Sequence, residues 1–382
     1  MDIANRWPAL SDLHAPARRR IPHIAWEYLD SGVGDEHAKQ RNRDALAAIT
    51  MMPRFLGGAP APDLSTTLFG TARKLPIGVA PIGMSSLIWP GSELMLAKAA
   101  RDAGGIYCLS TVAGESIEAV GDAAPGSWFQ LYTPNDAAMR HDLIARARAA
   151  GFEALVVTVD VPVASRRERQ RRAGVGMPPR IGPAMLLDFL RHPAWLAATL
   201  RRGRPTFKNL TPYASEAEMT LLSAFVNARL SQSITPDILA EIRRDWDGPL
   251  LVKGILDPAE ALVALDAGAD GIVVSNHGGR QLDPAPAAID MLPRVAEAVA
   301  GRAAIVMDSG LRSGADIARA LALGADAVLL GRPFLWSCAA GGDAGARHAF
   351  DILGEDLRNV MHQLGCPTPA KLAEHLIEGA RP

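Results

Sequence analysis

The chain has 382 residues, with 40 lysines and arginines against 41 aspartates and glutamates and a formal net charge of −1; that balance excludes a general nucleic-acid binder, which needs a concentrated basic surface. The length can bury one large barrel with accessory segments as readily as two ordinary domains. Cys108, Cys338 and Cys366 are widely spaced, so neither a disulfide framework nor a metal site is indicated, and a reducing, cytoplasmic setting is the simplest expectation.

In chain order, the first residues carry Asp2, Arg6 and Pro8 and lack the apolar segment of a signal peptide. No apolar run reaches bilayer-spanning length. Residues 1–75 read as a helical lead-in, in which Pro22 opens a helix carrying Trp26 and Tyr28 before Gly32 stops it. From residue 76 onward, short apolar runs alternate with alanine-rich stretches of helical period. Eight runs read as strands: Ile77 to Ala80, Ile106 to Leu109, Trp128 to Leu131, Leu155 to Val159, Leu250 to Val252, Gly271 to Val274, Ala304 to Met307 and Ala327 to Leu330. Eight strand-helix repeats predict an α/β fold of TIM (β/α)8 type, with its core at 76–335. The interval 163–235, between the fourth strand and a helix starting near Pro236, is too long for an ordinary connection and reads as an insertion: a lid, an interaction element or a disordered segment. Residues 336–382 read as C-terminal helices, and the whole chain as a single domain.

The ends of the runs carry the chemistry. Pro81 and Gly83 follow the first and Ser110 the second; Gln130 and Tyr132 close the third, Thr158 and Asp160 the fourth, and Lys253 the fifth. Ser275 with His277, then Asp308, then Gly331 with Arg332 complete the series. In a parallel barrel all these ends lie on one face, so distant residues line one pocket. The stretch Ser275-Asn276-His277-Gly278-Gly279-Arg280-Gln281-Leu282-Asp283 is the most informative. Its glycines permit close backbone approach to a ligand, and an imidazole three positions before a guanidinium offers a proton acceptor beside an anion clamp. A lone histidine is more often structural; this context argues otherwise. Asp308-Ser309-Gly310-Leu311-Arg312 and Gly331-Arg332 follow the seventh and eighth strands, where barrels bind phosphate. The plainer reading there is turn glycine plus surface arginine. Lys253 would place a cation where a reduced ring system gathers negative charge, unless it serves a structural salt bridge. Asp160 could support the His277 imidazolium or simply cap a turn. Arg167 lies in a run from Arg166 to Arg172 that, by composition, reads as a solvated face.

Taken together, Tyr28 before Ser31-Gly32, Ala80-Pro81-Ile82-Gly83-Met84, Phe129-Gln130-Leu131-Tyr132, Thr158-Val159-Asp160 with Arg167, Leu251-Val252-Lys253-Gly254 and the Ser275 to Asp283 signature resemble the FMN-dependent 2-hydroxy acid dehydrogenase and oxidase family. The likeness spans nearly the whole chain and is nearest in pattern to the (S)-mandelate and L-lactate dehydrogenases. It implies that FMN contacts Pro81, Ile82 and Gly83 through backbone, then Ser110, Gln130, Thr158, Lys253 and Ser275. Its phosphate would lie against Asp308, Ser309, Gly310, Leu311 and Arg312 and against Gly331 and Arg332. Arg167 and Arg280 would hold the substrate carboxylate with Tyr28 assisting, Tyr132 would hydrogen-bond the hydroxyl oxygen, and His277 would be the base supported by Asp160. Two positions depart from the family pattern. Gln170-Arg171-Arg172-Ala173 replaces a stretch with Asp and then Asn, and Ser313 follows Arg312 where a second arginine is frequent.

The implied reaction converts an (S)-2-hydroxy acid to a 2-oxo acid, with a quinone or O2 as electron acceptor. The segment 174–214 mixes apolar residues and tryptophan with cations, a mixture that can lie in a membrane interface. Its His192-Pro193, Trp195, Gly203, Pro205 and Asn209 resemble the insertion of family members at the cytoplasmic face of the inner membrane; a lid or subunit-contact helix pair is the plainer reading. The resemblance also implies a homotetramer, and with no heme-binding domain read before the barrel a fused cytochrome acceptor is not expected. Gly83 and Val112 point to a roomy pocket that admits mandelate, with lactate and longer aliphatic acids open. A related FMN barrel isomerase, a NAD-dependent barrel enzyme and a non-enzymatic phosphate-binding barrel remain as alternatives.

Overall fold

The computed structural model describes residues 2–58, 61–175, 182–214, 229–230 and 233–377. Residues 176–181, 215–228 and 231–232 of the predicted insertion, and 378–382 of the C-terminal segment, lie outside the described residues. A hairpin of β1 (Thr66–Leu68) and β2 (Thr71–Arg73) precedes the barrel. Eight strands then close into a barrel: β3 (Ile77–Val79), β4 (Ile106–Ser110), β5 (Trp128–Leu131), β6 (Ala154–Thr158), β7 (Leu250–Ile255), β8 (Gly271–Val274), β9 (Ala304–Met307) and β10 (Ala327–Leu330). Every neighbouring pair is parallel, and β10 closes on β3. The TIM-type fold expected from the sequence is the fold observed.

Side chains alternate along a strand, so one parity of each strand faces the barrel axis. The lower residues of that parity are apolar. Ile106, Cys108, Trp128, Val156, Leu251, Val273, Val306 and Leu329 belong to one buried cluster, distinct from the shell packed against the helices. Leu68 joins this cluster and Phe69 packs on it from the hairpin, with the Phe69 ring 6.1 Å from that of Trp128. The hairpin was not anticipated within the helical lead-in. Its signal was the pair Phe69-Gly70, where both residues take positive φ, 51° and 80°, between threonines that favour strands.

The next residues of the same parity, at the carboxyl ends, are polar: Ser110, Gln130, Thr158, Lys253, Ser275 and Asp308. All are buried. Ser110 pairs with Gln130 and Thr158 with Lys253 in register, so these groups form a continuous polar layer above the apolar plug. After Lys253 the register shifts at a bulge. Gly254 sits there at φ +106°, and a Cβ would lie 2.6 Å from the Asp160 Cβ. Only glycine combines that φ with so close an approach.

Two lead-in helices buttress this face. The helix His23–Asp30 starts directly after Pro22 and ends at Ser31, as the sequence implies. The helix His37–Ala48 carries the buried Asn42, which exchanges two amide hydrogen bonds of 2.8 Å with Asn276. Asn42→Ala removes both and leaves the Ala288 amide, now held at 3.2 Å by Asn42 Oδ1, without its partner. The expected loss is about 1–3 kcal/mol, read as a lowered denaturant midpoint with unchanged slope.

Candidate active site

A cavity of about 410 Å³ opens over the polar layer. At its floor the Lys253 ammonium lies 2.7 Å from Asp308 Oδ2 and donates to Ser275 Oγ at 2.8 Å. Burial alone would push the lysine down, but Asp308 and Asp160 outweigh it and hold Lys253 above its ordinary value, hence charged. Ser110 Oγ donates to Gln130 Oε1 at 2.8 Å, which fixes the amide orientation. Gln130 Nε2 and Thr158 Oγ1 are then buried without a partner. Buried polar groups in native proteins are paired, so adjacent orphans in one layer mark where a polar guest sits.

His277 stands at φ 57°, left-handed for a bulky residue, and Gly278 and Gly279 continue at 65° and 72°. The turn is held by His277 N donating to Ser275 Oγ at 3.0 Å and Gly278 N to Ser309 Oγ at 3.0 Å. Such a conformation persists only where its surroundings over-determine it. His277 Nδ1 lies 3.0 and 3.2 Å from the two Asp160 oxygens, and Nε2 lies 3.5 Å from the Tyr132 hydroxyl. Donating Nδ1–H to the carboxylate leaves Nε2 with a lone pair toward the cavity. Burial pushes His277 below the ordinary imidazole value, opposed in part by Asp160, so the ring is neutral at neutral pH. Burial would raise Asp160, yet His277 and Lys253 outweigh it and keep the carboxylate ionised. The arrangement can accept a proton at Nε2 and stabilise the imidazolium that results.

Six arginines line the cavity: Arg166, whose Nε lies 3.4 Å from Glu168 Oε1, Arg171, and the four Arg167, Arg280, Arg312 and Arg332. Arg280 donates to the carbonyls of Tyr28, Leu29 and Ser31 at 3.0, 3.4 and 3.0 Å, the free carbonyls at the end of the Tyr28 helix. Arg332 donates to Gly278 O and Ser31 O, each at 3.0 Å, and its Nε is buried without a partner. Arg312 stacks 5.0 Å from the Trp336 ring centroid. Among the described residues none of the four forms an ion pair with a carboxylate. Burial pushes Arg280, Arg312 and Arg332 below the ordinary guanidinium value; neighbouring arginines add to this at Arg280 and Arg312, while Asp30 and Glu36 oppose it at Arg332. Arginine remains charged, so the shortfall expresses positive charge awaiting anions. The site fits two: a phosphate beside Gly310, Arg312, Gly331 and Arg332, and a carboxylate beside Arg167 and Arg280.

Tyr28, Pro81, Ile82, Gly83, Tyr132, Arg167, Lys253, His277, Arg280, Asp308, Ser309, Gly310, Leu311, Arg312, Gly331 and Arg332 all line the one cavity. Ser110, Gln130, Thr158 and Ser275 lie in the layer beneath, and Asp160 behind the imidazole. The Tyr28 hydroxyl donates to Gly83 O at 2.9 Å, so in this structure its proton is already engaged. The roominess read from Gly83 is also smaller than expected. A Cβ there would meet Val112 Cγ2 at 2.6 Å, because the valine already fills that space. Sequence reasoning missed Phe207 and Leu230, which the insertion brings to the wall. It also missed Gln281, whose two buried amide atoms lack partners. The departure at Gln170 has a structural role: Nε2 donates to Ser31 Oγ at 2.9 Å, and the preceding Arg169 clamps Glu27 at 2.7 Å and Glu36 at 2.9 Å.

A closed parallel barrel, a cavity lined by arginines over the buried Lys253, and an imidazole held by Asp160 are the features of a barrel enzyme that could hold a phosphate-bearing cofactor. The sequence profile described as FMN-dependent dehydrogenase matches residues 17–379. An L-lactate dehydrogenase of Caulobacter vibrioides is 39% identical over 370 residues, 96% of each chain. One of Pseudomonas aeruginosa is 38% identical over 368 residues, again 96% of each. The crystal structure of the monotopic membrane protein (S)-mandelate dehydrogenase superposes with a TM-score of 0.91 at 32% identity, covering 97% of this chain and 98% of that one. Mandelate oxidase with (S)-4-hydroxymandelic acid gives a TM-score of 0.81 at 37% identity, covering 96% and 97%. The chain belongs to the FMN-dependent dehydrogenase family, and it is an FMN-dependent 2-hydroxy acid dehydrogenase or oxidase.

The sign of the Asp160 effect on the imidazole is testable. Asp160 is what raises His277 against burial, Lys253 and Arg167. In Asp160→Asn the His277 titration followed by NMR moves to still lower pH; an upward move contradicts the assignment.

Proposed function

We propose that the chain oxidises an (S)-2-hydroxy acid of mandelate or lactate type to the 2-oxo acid and passes the electrons to a quinone or another acceptor. The observation that carries this reading is His277 Nε2 beside Tyr132, in a cavity where Arg167, Arg280, Arg312 and Arg332 have no carboxylate ion-pair partner among the described residues. FMN, when bound, supplies the two-electron acceptor. Pro81, Ile82, Gly83, Ser110, Gln130, Thr158, Lys253 and Ser275 would hold its ring, with the orphaned Gln130 amide and Thr158 hydroxyl as partners. The Asp308 to Arg312 and Gly331-Arg332 loops would hold its phosphate.

Arg167 and Arg280 bind and orient the substrate carboxylate, with Tyr28 packed beside Arg280. Tyr132 holds the hydroxyl oxygen, and burial keeps its phenol well above the ordinary value, so it donates. His277 Nε2 takes a proton, either from the hydroxyl as hydride leaves or from the carbon itself. In both routes Asp160 stabilises the imidazolium.

A peripheral membrane setting, on the cytoplasmic face of the inner membrane, belongs to the same proposal. No helix among the described residues is long and apolar enough to cross a membrane. The helices Pro183–Arg191 and Pro193–Arg202 expose Leu186, Leu187, Leu190 and Leu200 beside Arg191, Arg201 and Arg202, a composition suited to a lipid interface. The solved neighbour is itself described as monotopic. A homotetramer completes the proposal, as the family likeness implies. The second reading, an oxidase using O2, is favoured by the likeness to mandelate oxidase.

Anaerobic addition of (S)-mandelate or L-lactate is expected to bleach the bound flavin, and readmitted air then separates oxidase from dehydrogenase. His277→Ala should retain FMN yet slow bleaching by about 100-fold or more; near-normal reduction removes His277 from the role. Because the base must be neutral, kcat/KM falls as pH drops through the lowered His277 value, and Asp160→Asn moves that limb further toward acid. Leu186→Gln with Leu190→Gln should abolish binding to anionic vesicles while flavin reduction persists.

A further inference from the structure

Val112 gives the cavity an aliphatic surface above β4, and its Cγ2 occupies the space over Gly83. The aromatic surface on this side comes from the insertion. Phe207 is buried and lines the cavity. It does not sit on a loose flap. Its carbonyl accepts from Leu210 N at 2.9 Å, Thr211 N at 3.1 Å and Thr211 Oγ1 at 3.2 Å. Two residues on, the fully buried Asn209 accepts from Ile117 N at 2.8 Å and donates to Thr111 O at 3.4 Å and Ser110 O at 3.5 Å. Lys208 meets Glu115 at 2.6 Å. The Phe207 turn is therefore fastened to the chain on both sides of Val112.

Strand order then fixes what Phe207 stands across from. In the closed ring β4 is opposite β8, whose carboxyl end bears His277, while the phosphate cradle lies at β9 and β10. A 2-hydroxy acid with its carboxylate on Arg167 and Arg280 and its hydroxyl toward His277 directs its remaining substituent away from these polar groups. The apolar lining left to receive it includes Gly83, Val112 and Phe207.

We propose that Phe207 is a specificity-determining residue: the substrate side chain lies against its ring, so the site favours an aryl group over the methyl of lactate. This rests on the reading of the cavity as a 2-hydroxy acid site. An aromatic wall contributes offset or edge contacts with an aryl substituent that a methyl cannot match.

The test uses the FMN-loaded enzyme and anaerobic flavin reduction by (S)-mandelate and by L-lactate. Wild type is expected to prefer mandelate. Phe207→Ala should lower the second-order rate constant for mandelate by about tenfold or more while lactate changes by less than about threefold. Phe207→Leu keeps the turn filled, retains FMN and gives an intermediate mandelate-to-lactate ratio. The proposal is overturned if wild type prefers lactate, if the ratio is unchanged, or if Phe207→Leu with full flavin content loses both substrates equally. A wild-type flavin that no 2-hydroxy acid reduces would instead sink the underlying reading of the site.

Discussion

Unpaired positive charge at the mouth of the barrel is the constraint around which the rest is arranged. Arg167, Arg280, Arg312 and Arg332 share one cavity, and among the described residues none of these four is in ion-pair contact with a carboxylate. Buried cations of one sign repel and lose hydration, so their assembly is unfavourable until anions arrive. The protein offsets part of that cost with backbone carbonyls. Arg280 and Arg332 both bond Ser31 O, at the end of the helix that carries Tyr28. Helix carbonyls neutralise without competing for the ligand as a carboxylate would. Arg280 and Arg332 are thus held in place by carbonyls and not by carboxylates.

Beneath that ring the buried cation is paired. Lys253 is buried and charged, and it is matched by Asp308 at 2.7 Å. A buried pair of this kind contributes little net stability, but losing either partner leaves a costly lone charge. Its value is positional: the lysine is fixed under the cavity, one bond from Ser275, which also anchors the His277 backbone. The floor and the base are therefore parts of one hydrogen-bonded unit.

The barrel was legible because its signal is local: eight short apolar runs, each followed by glycine, proline or a polar residue and separated by stretches of helical period. That His277, Arg280 and the loops Asp308 to Arg312 and Gly331-Arg332 line one cavity was legible because they follow strands directly. Arg167 was not, since a run from Arg166 to Arg172 has no internal mark of which side chain turns inward; family likeness alone singled it out. The structure places Arg167 at φ 43° at the head of a short helix, a backbone choice no composition reveals. Phe207 and Leu230 were illegible for a different reason. They belong to an insertion whose sequence gives no face to count, and the turn that carries Phe207 is held through Asn209 on Ser110 and Thr111, nearly a hundred positions earlier. The hairpin of β1 and β2 was missed because two three-residue strands carry too few alternating positions.

The insertion acquires a double character from this geometry. Its helices turn Leu186, Leu187, Leu190 and Leu200 outward, while the same segment is fastened inward at several points. Asp188 accepts from the His23 amide at 2.7 Å, at the start of the Tyr28 helix, and Trp195 donates to Leu87 O at 3.0 Å. Asn209 closes the series on Ser110 and Thr111. A flap that merely covered the cavity would need none of these ties, and an anchor that merely touched lipid would need no residue in the cavity wall. One stretch of chain thus carries both the outward leucines and the Phe207 of the cavity wall, and its hydrogen bonds to the His23 helix, to Leu87 and to the end of β4 hold it against the barrel.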